Sequence, residues 1–181
     1  MIILVYNKSI MQWDLITNII LIISIITFAI FVAIGIYQWV TRKSLKKVNP
    51  ELLWLPLPVA LVAITYLIFE IFPVNYRPDG SGESSFPSTH TMIVTTIFFI
   101  VMIILPHYVK NKTIRIILNI IMVALIALVS YGRVEADKHW IIDVIGGVAF
   151  AFAFSEIYYY AYKKFKKSRK KHHAERLQSN Y

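Results

Sequence analysis

A chain of 181 residues with 57% hydrophobic and 16% charged side chains departs from the soluble average of roughly 45–50% apolar and about 25% charged, and it departs toward lipid. That length fits one domain, and the absence of cysteine excludes disulfides and thiolate metal sites. The net charge of +9 would suit nucleic acid, but no aromatic or loop motif for such binding accompanies it, and its placement along the chain follows membrane topology instead.

The first long apolar run is Leu15 to Val40, which carries no charge. Leu52 to Phe69 is the second, bounded by Glu51 and Glu70. Met92 to Leu105 is shorter and reaches spanning length if its helix starts near Ser88. Ile116 to Gly132 is the fourth, and Trp140 to Tyr162, interrupted by Asp143 and Glu156, is the fifth. About 20 apolar residues in a helix cross about 30 Å of hydrocarbon, and backbone groups in lipid must pair within their own segment. The expected fold is therefore all-α, a polytopic transmembrane bundle of five spans. Residues 1–165 form its membrane domain and residues 166–181 a basic cytoplasmic tail. Residues 1–14 are too short to cross and are expected along the interface, given Ile2 to Tyr6 and Trp13. Trp13, Trp39, Trp54, Trp140 and Tyr158 to Tyr160 fall near span ends, where amphipathic rings anchor. No basic leader or small-residue cleavage pattern precedes the first span, so no cleaved signal is expected.

Fifteen of the 19 basic residues fall after the first span, between the third and fourth, or after the fifth. A five-span topology puts those segments on one side. Basic loops stay cytoplasmic, so the C-terminus is expected inside and the N-terminus outside, with Arg77, Arg133 and Lys138 on the outer face. The basic tail also suits anionic lipid.

The outer loops hold the unusual chemistry. The first, PVNYRPDGSGESSFP over residues 73–87, breaks helix by its Pro, Gly and Ser content, and Ser88 is a natural N-cap for the third span. Free amides near Ser88 and Thr89 make an anion site, and Arg77 adds a planar fork suited to phosphate oxygens. In the second loop, His139 and Asp143 are four apart and would share a face if helical. Such an aspartate either fixes the tautomer of a reactive histidine or makes a local structural hydrogen bond; the residues alone allow both. Both clusters fall on the same membrane side, which favours one shared site.

Three spaced blocks carry a resemblance. Glu70, six residues and Arg77-Pro78 come first. Pro87-Ser88-Thr89-His90 follows. Last come Gly132-Arg133, five residues, His139, three residues and Asp143. In order and spacing these resemble the type 2 phosphatidic-acid phosphatase family, with its KxxxxxxRP, PSGH and SRxxxxxHxxxD signatures, across roughly residues 52 to 160. The resemblance implies a membrane lipid phosphatase. His139 would attack phosphorus to form a phosphohistidine, and Asp143 would orient its ring. His90 would protonate the leaving oxygen and then activate water, while Arg77, Arg133, Ser88 and Thr89 would hold phosphate oxygens. No metal or other cofactor is implied. Substrates in order of preference are undecaprenyl pyrophosphate of the bacterial cell envelope, then phosphatidylglycerophosphate or phosphatidic acid. A non-catalytic lipid-phosphate binder or transporter and a lipid phosphotransferase are the alternatives.

Three positions depart from the signatures. Glu70 replaces lysine, and a carboxylate there repels phosphate, so it is expected to position Arg77 or Arg133, to balance charge, or to meet a polar headgroup. Thr89 replaces glycine and keeps its amide. Gly132 replaces serine and loses a hydroxyl. The family has six spans where five are counted here, the missing one preceding the first signature. Asp137 and Lys138 are expected as solvated loop residues, Glu156 as structural, and His107, His172 and His173 as solvated on the inner side.

Overall fold

The structure, a computed structural model, describes the backbone of residues 2–178; the side chains of residues 2–7, 172–174, 176 and 177 lie outside that description. Helix α1 covers Ile2–Arg42, and a short turn of 3-10 helix at Leu45–Lys47 leads into α2 (Pro50–Leu53) and α3 (Pro56–Ile71). Helix α4 covers Thr89–Tyr108, α5 Lys112–Glu135 and α6 Ile141–Gln178. No strand occurs among the described residues, only an isolated antiparallel bridge between Tyr76 and Ser84.

Among the described residues, five stretches are long and apolar enough to cross a membrane: Lys8–Arg42, Pro50–Ile71, Thr89–Tyr108, Lys112–Glu135 and Ile141–Lys171. The second is broken at its start because Pro56 opens α3 and cannot donate to the preceding turn. Helix α4 is the buried centre, packed against α6, α5 and α1, with Met92, Val94, Phe98, Ile100 and Ile104 almost wholly covered. Large apolar side chains stay exposed on the outer helices, among them Ile22, Ile26 and Ile30 on α1 and Ile116, Ile120 and Val123 on α5. A contiguous apolar surface of this extent suits acyl chains rather than water.

The N-terminal segment differs from expectation. Residues 2–14 are not a separate interfacial piece but the beginning of α1, continuous with the first span. Trp13 packs edge-on against Tyr131 of α5, ring centroids 5.3 Å apart. The span Lys8–Arg42 has 35 residues, about 52 Å at 1.5 Å per residue, so it outreaches the hydrocarbon core.

Helix α6 runs unbroken across residues 165 and 166. Within the basic segment, Arg169 donates to the Val48 carbonyl at 2.7 Å and lies 4.5 Å over the Phe165 ring. His107, expected to be solvated, is half-buried, with its Nδ1 3.2 Å from the Ile104 carbonyl oxygen and its Nε2 3.4 Å from Lys166 Nζ. The side chains of His172 and His173 lie outside the described residues.

One close approach positions everything that follows. A Cβ at Gly147 would lie 2.9 Å from the Ser88 carbonyl oxygen and 3.3 Å from the Met92 nitrogen, so only glycine lets α6 touch the first turn of α4.

Candidate active site

The first loop folds as a small hairpin. Ser85 donates its amide to Asn75 at 2.9 Å, Arg77 donates to Glu83 at 3.1 Å, and the chain turns between them. The second loop, between α5 and α6, is stitched onto it. Lys138 Nζ reaches Asp79 at 2.9 Å, and Trp140 Nε1 donates to the Tyr76 carbonyl at 2.8 Å. Hydrogen bonds from Ser81, joined by Lys138, hold the Asp79 carboxyl well below the usual carboxylate range. Lys138 is thus a clasp between the loops rather than a solvated charge, and Asp137 is half-buried beside it at a positive φ of 52°.

Asp143 is the hub of this stitching, in a way its spacing from His139 does not suggest. Helix α6 begins at Ile141, so His139 precedes it and the two residues do not share a helical face. The fully buried carboxylate folds back to accept the Trp140 amide at 2.8 Å, as the third helical residue of a capping box does. Its other oxygen accepts from Asn75 Nδ2 at 3.1 Å, and its carbonyl accepts the Ser88 amide at 2.9 Å. One residue therefore fastens both loops and the start of α4.

The His139 ring, 4% exposed, is oriented by a backbone carbonyl instead: Nδ1 lies 2.8 Å from the Ser85 oxygen, against 3.9 Å from Asp143 Oδ2. With Nδ1 donating to Ser85, Nε2 keeps its lone pair. Burial, and after it the positive charge of Arg133, push the His139 pKa down to about 3, against the raising effect of the Ser85 hydrogen bond. The folded ring therefore refuses a proton that the unfolded chain takes near pH 6.5, and the folding stability tied to it is lost as pH falls from there toward 3. The expected result is that the His139 imidazole nitrogens, followed by ¹⁵N NMR in substrate-free protein and assigned with His139→Gln, do not titrate between pH 8 and about pH 5. A midpoint near 6.5 would show that the ring is not held in this environment.

A cavity of about 230 Å³ opens at this end of the bundle, lined in part by Glu70, Arg77, Thr89, His90, Arg133 and His139. Both arginine side chains have a buried Nε with no hydrogen-bond partner among the described residues. Buried donors in that state favour an incoming acceptor. Thr89 opens α4, so its amide and that of His90 lack intrahelical acceptors. Ser88 behaves otherwise. It is fully buried, its amide is taken by Asp143, and its hydroxyl turns to Thr91 at 3.0 Å, so it braces the helix start instead of facing the cavity.

The carboxylates that hold the arginines are not the expected one. Arg77 pairs with Glu83, and Arg133 Nη1 pairs with Asp14 at 2.8 Å. Glu70 lines the cavity and makes no ion pair among the described residues. His90 Nε2 lies 2.8 Å from Asn18 Oδ1. Asp14, Asn18, Asn75 and Glu83 thus join the site without having been singled out in the sequence. For Asp14 and Asn18 a signal existed: polar residues at the edge of an uncharged run that must face protein rather than lipid. Asn75 and Glu83 sit in a polar loop, where nothing in the pattern marks them. Among the described residues, no group of three or more His, Asp or Glu side chains is arranged to hold a metal ion.

A second, apolar cavity of about 410 Å³ runs along α1, α3 and α4, lined by side chains such as Ile25, Phe28, Val62 and Ile97. Tyr66 and Thr89 line both cavities, so the two adjoin.

Comparison with known proteins bears on this arrangement. No curated protein matches the sequence. The fold is similar to the crystal structure of a transmembrane PAP2 type phosphatidylglycerolphosphate phosphatase from Bacillus subtilis, with a TM-score of 0.56 and 19% identity over 91% of this chain and 84% of that one. At that identity the likeness speaks for the fold. The family model described as PAP2 superfamily matches residues 66–167, which contain Arg77, both histidines, Arg133 and Asp143. That match takes in more than half of the chain: this multi-pass membrane protein belongs to the PAP2 superfamily.

Proposed function

We propose that the chain is an integral membrane lipid phosphatase that hydrolyses a lipid phosphate or pyrophosphate through a phosphohistidine on His139. Membership of the PAP2 superfamily supports a phosphatase. The observation that carries the lipid reading is the pairing of cavities: two arginine forks and two histidines around a polar space, adjoined by an apolar groove of nearly twice its volume. The groove suits a hydrocarbon chain.

In the first step the Nε2 lone pair of His139 attacks phosphorus while the bond from phosphorus to the lipid oxygen breaks and His90 gives that oxygen a proton. In the second, water attacks phosphorus, His90 takes its proton, the P–N bond breaks and inorganic phosphate leaves. Arg77, Arg133 and the Thr89 amide face the phosphate oxygens, where transition-state charge is spread. These two steps call on no metal, and the chelator in the phosphate-release assay tests that. By the distribution of basic residues the site faces outward from the cytoplasmic membrane and the C-terminus lies inside. A single cysteine at Ser81 is expected to react with an impermeant maleimide on intact cells and one at Ser168 is not; the reverse pattern overturns that orientation.

Undecaprenyl pyrophosphate is the first substrate choice, because a bacterial carrier lipid is recycled on the outer face. Phosphatidylglycerophosphate and phosphatidic acid follow, the former named for the structural relative. Phosphate release from these lipids in detergent, with a chelator present, tests the reading. Metal-independent release from at least one of them is expected, and relative kcat/KM ranks them. Tight binding of all without release would favour a lipid-phosphate binder. Transfer to an added lipid alcohol in preference to water would favour a phosphotransferase.

A further inference from the structure

The match to the PAP2 family begins at residue 66, yet α1, far upstream, contacts two of the side chains that line the cavity, His90 and Arg133. Its inward face presents Asp14, Thr17 and Asn18, an arrangement that i, i+3 and i+4 spacing puts on one side of a helix. Asp14 divides its carboxylate. Oδ1 accepts from Arg133 Nη1 at 2.8 Å, and Oδ2 accepts from the Asn18 amide nitrogen at 3.4 Å. That second contact fixes which way the Asn18 amide points, so its oxygen, 2.8 Å from His90 Nε2, is an acceptor and the ring nitrogen is the donor. Thr17 donates its hydroxyl proton to the Asp14 carbonyl at 3.0 Å and offers a lone pair to Arg133 Nη1 at 3.4 Å.

Gly132 makes this contact sterically feasible. It stands where the signature resembled by this chain has serine. A Cβ at Gly132 would lie 2.6 Å from Thr17 Cγ2 and 3.1 Å from Trp13 Cε3, so a side chain there clashes with the Thr17 methyl and crowds Trp13 in this placement of α1. Where Gly132 has no hydroxyl, Thr17 brings one to the neighbouring Arg133.

We propose that α1 completes the active site, with Asp14 and Asn18 as positioning residues: Asp14 holds the Arg133 fork, and Asn18 keeps a proton on His90 Nε2 so that Nδ1 is the nitrogen that exchanges protons with substrate and water. Gly132 is the gap that admits them. The kinetic part of this inference rests on the phosphatase reading; the protonation of His90 does not.

The test uses the whole chain in detergent, with Asn18→Leu, Asp14→Asn, Gly132→Ala and the double variant Gly132→Ala with Thr17→Ser; all are checked for an unchanged elution profile, and Asn18→Leu and Asp14→Asn also for an unchanged melting temperature. Asn18→Leu is expected to lower kcat by about 10–100-fold with KM little changed, the usual scale for losing a partner that orients a reactive ring. Asp14→Asn should raise KM, because the fork it steadies binds phosphate. Gly132→Ala should lose activity by displacing α1, and Thr17→Ser, which removes the clashing methyl and keeps the hydroxyl, should recover most of that loss. ¹⁵N NMR of His90, assigned with His90→Gln, should show the neutral ring protonated at Nε2 in the wild type and a mixture of tautomers in Asn18→Leu. Wild-type kinetics in folded Asn18→Leu, or the same tautomer in both proteins, would overturn the proposal. If the wild type releases no phosphate while the tautomer still depends on Asn18, the phosphatase reading falls and the role of α1 in holding His90 stands.

Discussion

His139→Ala is expected to reduce phosphate release by about 10⁴-fold or more, the scale on which removing an attacking group collapses a covalent mechanism. Among the described residues the ring's hydrogen-bond partner is the Ser85 carbonyl, which is backbone and carries no proton of its own to give. It therefore fixes Nε2 as the free lone pair. Burial and the nearby Arg133 keep the ring uncharged, so no proton must leave before attack. An orienter that is backbone also bears on interpretation, since no side-chain substitution at Ser85 removes it. The comparison that isolates chemistry from folding is His139→Gln, which retains a polar side chain of similar reach but no ring lone pair. His139→Gln should melt near the wild type, His139→Ala lower because the Ser85 carbonyl loses its donor, and both should be inactive. Residual turnover within about 10-fold of wild type in either would mean that water, not His139, attacks phosphorus.

The second large effect belongs to His90. His90→Ala is expected to lower turnover of a lipid phosphate by about 10²–10⁴-fold, the range typical of a positioned general acid or base. Leaving-group chemistry divides that loss between the two steps. A lipid alkoxide leaves badly and needs a proton, whereas p-nitrophenolate does not. With p-nitrophenyl phosphate the first step should survive in His90→Ala, so a burst of p-nitrophenol should precede a slow steady state limited by hydrolysis of the phosphoenzyme. Equal loss with both substrates and no burst would place His90 outside proton transfer and leave it a phosphate contact.

The span pattern and the gathering of four polar side chains at one end were legible in sequence because each rests on a local rule. Uncharged runs must be helices in lipid, and Arg77, His90, Arg133 and His139 all line one cavity as their placement on one membrane side requires. What the sequence concealed depends on packing between distant segments. Asp143 looked like the partner of His139 because a spacing of four suggests a shared helical face. The helix starts two residues after His139, and capping draws the carboxylate back to Trp140 instead. Ser88 looked like an anion ligand because it caps α4, but α6, admitted by Gly147, delivers the Asp143 carbonyl to its amide. Glu70 seemed the natural carboxylate for an arginine, yet Glu83 lies across the hairpin from Arg77 and α1 brings Asp14 to Arg133. The N-terminal segment was misplaced for a related reason: Lys8 and Asp14 end the uncharged run, but a helix does not end with it.

The most direct test of the account is a search for the covalent intermediate. Wild-type protein is mixed with a ³²P-labelled lipid phosphate, quenched within milliseconds in alkali and separated from free label. A phosphoenzyme stable to alkali and labile to acid, absent from His139→Ala and, with labelled p-nitrophenyl phosphate as the donor, longer-lived in His90→Ala, is the predicted result. Phosphate release at the wild-type rate with no such species at any time point, or label that persists in His139→Ala, would contradict it.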